Sequence, residues 1–205
     1  MVSVISFDMD ATLVSEDVDN VLWDEEIPRL YAQKNSVSLR QAKLEVYAEY
    51  YKKRYIDKIP FWTDLSWWMK FFGLPLEAID VSILASAHLY PEVIDVLTEL
   101  SRSYTLVVVT NAHPSFMNIK LQATRIHSFF SHIYTSVDSV SGKKDASLWK
   151  KLLLDLGVSS SEVLHVGDNL HFDKEVPESV GVSALYLDRF GGGDISSLSE
   201  IKRFL

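Results

Sequence analysis

The second half of the chain alternates between short apolar runs and segments with helical spacing. Helical patterns span residues 114–123 and 146–156, and the apolar runs lie at residues 105–109, 132–135, 162–166 and 184–187. The run at 105–109 is continuously apolar after its first residue, which is typical of a strand buried on both faces of a parallel sheet. Near the C-terminus, Asp194 is expected to cap a final short helix. With a further β-branched and aromatic run at residues 2–7, this alternation predicts a layered α/β fold with a parallel sheet.

The region between the first strand and residue 88 has a different character. It is rich in aromatic residues, and helical patterns lie at residues 22–35, 38–57 and 61–72. Ser38 is the expected N-cap of the second of these helices. We therefore predict a helical insertion with its own small core. The predicted domains are a main domain of residues 1–16 and 88–205 and an inserted domain of residues 17–87.

Composition excludes several classes of function. The formal net charge of −8 at pH 7 argues against a nucleic acid as the main partner. The absence of cysteine excludes disulfides, thiolate catalysis and cysteine-based zinc sites. No charged leader precedes the first strand, and no apolar run approaches the roughly 18 residues of a membrane span. We therefore expect a cytoplasmic protein that does not bind membranes.

Two carboxylates follow the first predicted strand. Asp8 and Asp10 stand two positions apart, so both side chains leave on the same side if strand geometry persists. Two like charges at this separation repel each other unless a cation lies between them. Mg²⁺ takes such oxygen ligands together with substrate phosphate oxygens, and ligands of α/β proteins bind at the carboxyl ends of strands. The alternative is that the two residues begin a solvated turn.

Two later segments near strand ends carry groups that suit a phosphate. Thr110 and Asn111 follow the strand at 105–109, where a hydroxyl and backbone amides can hold a phosphate oxygen. Taken alone, the pair is better explained as a β-branched strand residue followed by a turn-forming Asn. Lys143 and Lys144 precede the helix at 146–156, and a lysine ammonium can neutralise a phosphate and a nearby carboxylate. Most lysine pairs, however, are exposed to solvent.

The strand at 162–166 leads directly into Gly167 and Asp168, with Asp173 five residues further on. Glycine lets the backbone turn closely beside a ligand. A turn closed by an Asp side chain explains Asp168 but gives no reason for Asp173.

The four segments in this order resemble the motifs of the haloacid dehalogenase-like hydrolase superfamily. The resemblance runs from residue 2 to about residue 187, which is nearly the whole chain. It implies a Rossmann-like three-layer core with a parallel sheet, and an α-helical cap inserted after the first strand. Residues 17–87 would be this cap.

The resemblance also implies roles for the acidic residues. Asp8 would be the nucleophile that forms an aspartyl-phosphate, and Asp10 the general acid and base. Mg²⁺ would be held by Asp8, the backbone carbonyl of Asp10 and Asp168, with Asp173 in support. The ion would let an anionic carboxylate approach an anionic phosphate.

Thr110 and Asn111 would bind the phosphoryl group, and Lys143 would balance its charge. The chain departs from the superfamily pattern in two places. Ala11 replaces the usual glycine after the second aspartate, so the backbone there must accommodate a Cβ. The usual Lys-Pro pair reads Lys143-Lys144, and we favour Lys143 because it occupies the position before the missing proline.

The expected function is that of a Mg²⁺-dependent phosphatase acting on a small phosphorylated metabolite, as a monomer or weak homodimer. A phosphomutase of the β-phosphoglucomutase type is the first alternative. A 2-haloacid dehalogenase is a weaker one, because dehalogenases of this superfamily generally lack the second aspartate, here Asp10. A non-catalytic binding module would have no need for the complete set of acids and lysine.

Overall fold

The computed structural model describes residues 1–59, 62–79, 87–142 and 144–205. In this part of the chain, five strands form one sheet in the order β3-β2-β1-β4-β5, and every pair of neighbours is parallel. The strands are β1 Val4–Phe7, β2 Thr105–Val109, β3 His132–Tyr134, β4 Val163–Gly167 and β5 Ser183–Tyr186. The prediction of an α/β fold with a parallel sheet is confirmed.

The first strand lies at the centre of the sheet, and the direction in which strands are added reverses there. After β1 the chain adds β2 and β3 on one side, then β4 and β5 on the other. Phe7 pairs with Val108 on one neighbour and with Val166 on the other. The residues after β1, β2 and β4 therefore meet at one edge, beside the crevice where α/β proteins bind ligands.

Eight α-helical segments accompany the sheet in the described part of the chain. They are α1 Asp17–Asn20, α2 Ile27–Asn35, α3 Leu39–Tyr51, α4 Leu65–Phe72, α5 Val93–Leu100, α6 Pro114–Thr124, α7 Ala146–Leu156 and α8 Val176–Ser179. None of the described helices combines the length and the apolar character needed to cross a membrane. Leu148, Trp149 and Leu152 of α7 pack on a core that includes Val107 and Val163 of the sheet.

The chain divides into two compact units. The first consists of Met1–Ser15 and His88–Leu205, and the second of Glu16–Ala87. In the second unit, wide π-type turns at Val21–Glu26 join α1 to α2, and similar turns at Lys52–Ile56 extend α3.

An aromatic core holds the second unit together. Tyr50 lies edge-on to Trp23, Trp68 and Phe72, with ring centroids 5.8, 4.8 and 6.0 Å away. Ser38 caps α3 as predicted, by accepting a hydrogen bond from a backbone N–H of the first turn. Residue 61, the predicted start of the third helix, lies outside the described residues, and α4 begins at Leu65.

The predicted cap of the last helix is wrong. The final helix is a 3₁₀ segment at Leu198–Phe204, and its cap is Ser197. The carboxylate of Asp194 instead accepts a hydrogen bond from the Tyr186 N–H at 2.8 Å and pairs with Lys174 at 3.0 Å. Asp194 lies three residues before the observed cap, Ser197, so its carboxylate closes the loop after β5 instead of capping the helix.

Candidate active site

Asp8 is the first residue after the central strand. Its N–H donates to the Val166 carbonyl at 2.9 Å, which continues the pairing of β1 with β4 by one residue. The side chain is largely buried, and its Oδ1 lies 2.6 Å from the Lys144 ammonium. Burial, together with neighbouring carboxylates, raises the pKa of Asp8 well above its ordinary value, although the ammonium opposes the shift. Asp8 therefore needs cations beside it to remain ionised.

Three carboxylates converge at this edge of the sheet. Asp8, Asp168 and Asp173 each offer one oxygen, and these oxygens all lie within 4.8 Å of one another. Asp168 also accepts a long hydrogen bond, 3.5 Å, from the hydroxyl of Thr12. Hard oxygen donors that carry several negative charges are the ligands that Mg²⁺ prefers. The donor set thus fits the metal that the sequence implies.

Asp173 is fully buried, and its carboxylate is surrounded by donors. One oxygen accepts from the Asn169 N–H at 2.9 Å, and the other contacts the Lys144 ammonium and His165 Nε2. Burial alone would raise the pKa of Asp173, but the ammonium and the imidazole hold it well below its usual range. A Cβ on Gly167 would overlap this carboxyl group, so the glycine is required for close approach. These contacts explain why an acid is needed at position 173.

Lys144 supplies the ammonium of the site. The side chain is fully buried, and its two carboxylate partners, Asp8 and Asp173, raise its pKa to about 12 although burial alone would lower it. Its backbone N–H donates to Asn111 Oδ1 at 2.6 Å, which ties the loop to the end of β2. Lys143, which the sequence favoured, lies outside the described residues. The ammonium that contacts the predicted nucleophile belongs to the second lysine of the pair.

Thr110 and Asn111 reach the same edge from the neighbouring strand. Thr110 is buried, its N–H donates to the Tyr134 carbonyl at 3.0 Å, and its hydroxyl oxygen accepts from the Ala112 N–H at 3.1 Å. The hydroxyl proton remains able to donate. The side-chain carbonyl of Asn111 is engaged by the Lys144 N–H, which leaves the amide nitrogen as its donor.

Lys120 is a residue that the sequence analysis missed. It lies in α6, it is completely buried, and its Nζ is 2.5 Å from Asp10 Oδ1. The side chain of Asp10 is 31% exposed. The signal was available in the helical spacing, since Lys120 stands three residues after Met117 and next to Leu121, which are both buried. A lysine on the apolar face of a helix requires an anion inside the protein.

Arg189 is the second residue that was missed, and it supports the turn after β1. Ala11 has φ = +54°, a left-handed conformation that costs a residue with a Cβ about 1 kcal/mol. The guanidinium of Arg189 donates to the carbonyls of Ala11 and Thr12 at 3.2 and 2.7 Å. It also pairs with Glu92 at 2.7 Å and stacks 3.4 Å from the centre of the Tyr90 ring. Arg189, from a distant part of the chain, therefore holds in place the turn that follows Asp8 and Asp10.

Known proteins are similar to this chain in sequence. The GMP/IMP nucleotidase YrfG of Escherichia coli is 26% identical over 171 residues, which cover 82% of this chain and 75% of that protein. A phosphoserine phosphatase of Thermus thermophilus is 33% identical over 102 residues, or 49% of this chain and 41% of that protein.

Solved structures show the same fold. A HAD phosphatase from Thermococcus onnurineus superimposes with a TM-score of 0.85 and 26% identity, over 100% of this chain and 97% of that one. A 2-haloacid dehalogenase from Pseudomonas syringae has a TM-score of 0.67 and 19% identity, over 99% and 97%, so it shares the fold alone. The family described as haloacid dehalogenase-like hydrolase matches residues 2–181. The chain therefore belongs to the haloacid dehalogenase-like hydrolase family, and is an enzyme of the hydrolase class.

Proposed function

We propose that this enzyme is a Mg²⁺-dependent phosphatase that hydrolyses a small phosphorylated metabolite through an aspartyl-phosphate on Asp8. The observation that carries the proposal is the setting of Asp8. It lies at the reversal point of the sheet, with two further carboxylates in reach and an ammonium 2.6 Å away. This arrangement provides a carboxylate nucleophile beside a positive charge, together with cation ligands, which is what attack on a phosphate requires.

Asp8 and Asp168 would hold the metal directly with the backbone carbonyl of Asp10, and Asp173 would act in support. When bound, Mg²⁺ neutralises charge on the reacting oxygens and so lowers the barrier to in-line displacement. The role of Asp173 in support follows from its contacts, since its oxygens already accept from Asn169, Lys144 and His165.

In the first step, an oxygen of Asp8 attacks phosphorus, and the bond from phosphorus to the leaving oxygen breaks. Lys144 favours the ionised form of Asp8 against the effect of burial, which raises the pKa of the carboxyl group. Asp10 donates a proton to the leaving oxygen, and this matters most when the leaving group is a poor one such as an alkoxide. The Thr110 hydroxyl and the Asn111 amide would hold the phosphoryl oxygens.

In the second step, Asp10 takes a proton from a water molecule that attacks the phosphorus of the aspartyl-phosphate. The bond between phosphorus and the Asp8 oxygen breaks, inorganic phosphate leaves, and Asp8 returns to the carboxylate form. The same group serves as acid and then as base, so its position must suit both steps.

The substrate is proposed to be a small phosphate monoester, with nucleoside monophosphates first in any panel because one relative is named a GMP/IMP nucleotidase. The unit Glu16–Ala87 is proposed as a cap that selects the substrate. The cytoplasm is the proposed compartment, and a monomer or weak homodimer the proposed state. A dehalogenase needs no proton for its halide, so the presence of Asp10 favours the phosphatase.

The test is hydrolysis of p-nitrophenyl phosphate at neutral pH, with Mg²⁺ and with EDTA, by the wild type and Asp8→Asn. We expect turnover that requires the metal and is lost in the variant. No turnover by the wild type, on this ester or on nucleoside monophosphates, would refute the proposal. Fluoride release from fluoroacetate would then test the dehalogenase reaction.

A further inference from the structure

Each of the two catalytic aspartates of the proposed mechanism has a buried lysine of its own. Lys144 pairs with Asp8, and Lys120 pairs with Asp10. Lys144 belongs to the segments near strand ends that the sequence identifies. Lys120 does not, because it comes from the middle of α6, 110 residues away from its partner along the chain.

The ammonium of Lys120 is placed to act on Asp10 and not on the substrate. Its side chain is 0% exposed, whereas that of Asp10 is 31% exposed. One oxygen of Asp10 is held by the ammonium at 2.5 Å, inside the protein. Because the ammonium is enclosed and already paired with this carboxylate, we expect its effect on the reaction to pass through Asp10.

We propose that Lys120 is a positioning residue that holds Asp10 by one oxygen and thereby presents the other for proton transfer. The packing of α6 supports such a role. Met117 and Leu121 on either side of Lys120 are buried, so the lysine stem is packed before the substrate arrives. Holding both groups in advance avoids an ordering cost at the moment of reaction.

This inference rests on the proposed phosphatase activity and predicts a specific pattern of kinetics. A residue that positions the general acid affects esters with poor leaving groups more than esters with good ones. A residue that binds the phosphoryl group raises KM for all esters alike. A residue that only stabilises the fold lowers activity in proportion to the folded fraction, whatever the leaving group.

The experiment measures kcat and KM of Lys120→Met and the wild type on p-nitrophenyl phosphate, phenyl phosphate and an alkyl phosphate. We expect kcat/KM, which reports the first step, to fall about tenfold more on the alkyl ester than on the nitrophenyl ester. Lys120→Arg keeps the charge and should recover part of the loss. Lys151→Met is the matched control, since Lys151 forms an equally short pair with Asp155 on the surface.

A double-mutant cycle separates action through Asp10 from independent action. If Lys120 works through this carboxylate, adding Lys120→Met to Asp10→Asn should cause no further loss of kcat. Should Lys120→Met fail to fold, Lys120→Gln is measured in the same way. Equal losses of kcat/KM across the three esters, a rise in KM alone, or additive losses in the cycle would overturn the inference and leave the phosphatase proposal intact. An inactive wild type would refute the proposed function itself.

Discussion

Replacing Lys144 by methionine removes the ammonium that lies between two buried carboxylates. In the wild type, this group contacts Asp8 at 2.6 Å and also contacts Asp173. The side chains of Lys144 and Asp173 are each 1% exposed, and that of Asp8 is 11% exposed. Methionine fills nearly the same volume, so the change tests charge more than packing. We expect Lys144→Met to be strongly destabilised at neutral pH in the absence of metal.

The size of the effect follows from the burial. Removing one partner of a buried ion pair costs about 3–5 kcal/mol, because a charge is left without compensation. Asp8 retains some solvent access, so we take the lower value of about 3 kcal/mol. For a chain of this size each kcal/mol lowers Tm by about 2–4 °C. The expected decrease is therefore about 6–12 °C.

The destabilisation should shrink as the pH falls. In Lys144→Met, loss of the ammonium raises the folded-state pKa of Asp8 further above the unfolded value of about 3.9, and Asp173 loses the larger of the two charges that lower its pKa. At a pH between these values the folded protein binds more protons than the unfolded chain, so stability increases on acidification. In the wild type the pKa of Asp173 is depressed, so its contribution is present above the unfolded value and is lost as the pH falls. The Tm values of the wild type and of Lys144→Met should therefore converge as the pH becomes acidic.

The assay is thermal unfolding followed by circular dichroism in EDTA, from neutral to acidic pH. Lys143→Met is measured beside Lys144→Met, because the sequence favoured the first lysine and the observed contacts belong to the second. Lys151→Met is the control for an exposed pair, expected to change stability by less than about 1 kcal/mol. A Tm of Lys144→Met within about 2 °C of the wild type, or an equal decrease in Lys143→Met, would refute the reasoning.

Three further outcomes are expected. Asp8→Asn should lose turnover while staying folded, because an amide is a far poorer nucleophile than a carboxylate; circular dichroism beside the ester assay checks both, and normal activity would contradict the assignment. Arg189→Met removes two hydrogen bonds to the turn after β1 and an ion pair. We therefore expect the free energy of unfolding in urea to fall by about 2 kcal/mol and kcat to decrease. An unchanged kcat would mean that the turn needs no support. Gly167→Ala places a Cβ against the carboxyl group of Asp173, so both Tm and kcat should fall, while Gly157→Ala, where a Cβ meets no neighbour but φ is +65°, serves as the control for backbone strain alone.

The sequence predicted the strands whose ends carry most of the candidate residues, because strand patterns are local. An apolar run of β-branched residues makes a strand, and the polar residue that follows marks the strand's end. The strand predicted at 105–109 is observed as Thr105–Val109, and Asp8, Thr110 and Asp168 each follow a strand end. In a parallel sheet these ends lie at one edge, so finding the ends was enough to place the groups together.

The parts that were missed depend on contacts across the chain. Lys120 meets an aspartate 110 residues away, and Arg189 meets a carbonyl 178 residues away. Helical spacing shows which side of α6 is buried, but it does not show what that side faces. The preference for Lys143 stays a prediction, because that residue lies outside the described part of the chain, whereas the observed contact with Asp8 comes from Lys144. The hydrogen bond from the Lys144 N–H to Asn111 joins residues 33 positions apart, so no local pattern reveals it.

The balance of charge at the end of β1 links the lysines to the metal. The site brings together four carboxylates, those of Asp8, Asp10, Asp168 and Asp173, and the two buried ammonium groups that pair with three of them. If all six groups are ionised, four negative and two positive charges leave a net charge of −2, which one divalent cation would neutralise. Burial and the neighbouring carboxylates raise the pKa of Asp8, and the Lys144 ammonium opposes this shift. A divalent cation at this site would both admit an anionic phosphate and favour the ionised form of Asp8, so we expect binding of the ion and ionisation of the proposed nucleophile to be coupled.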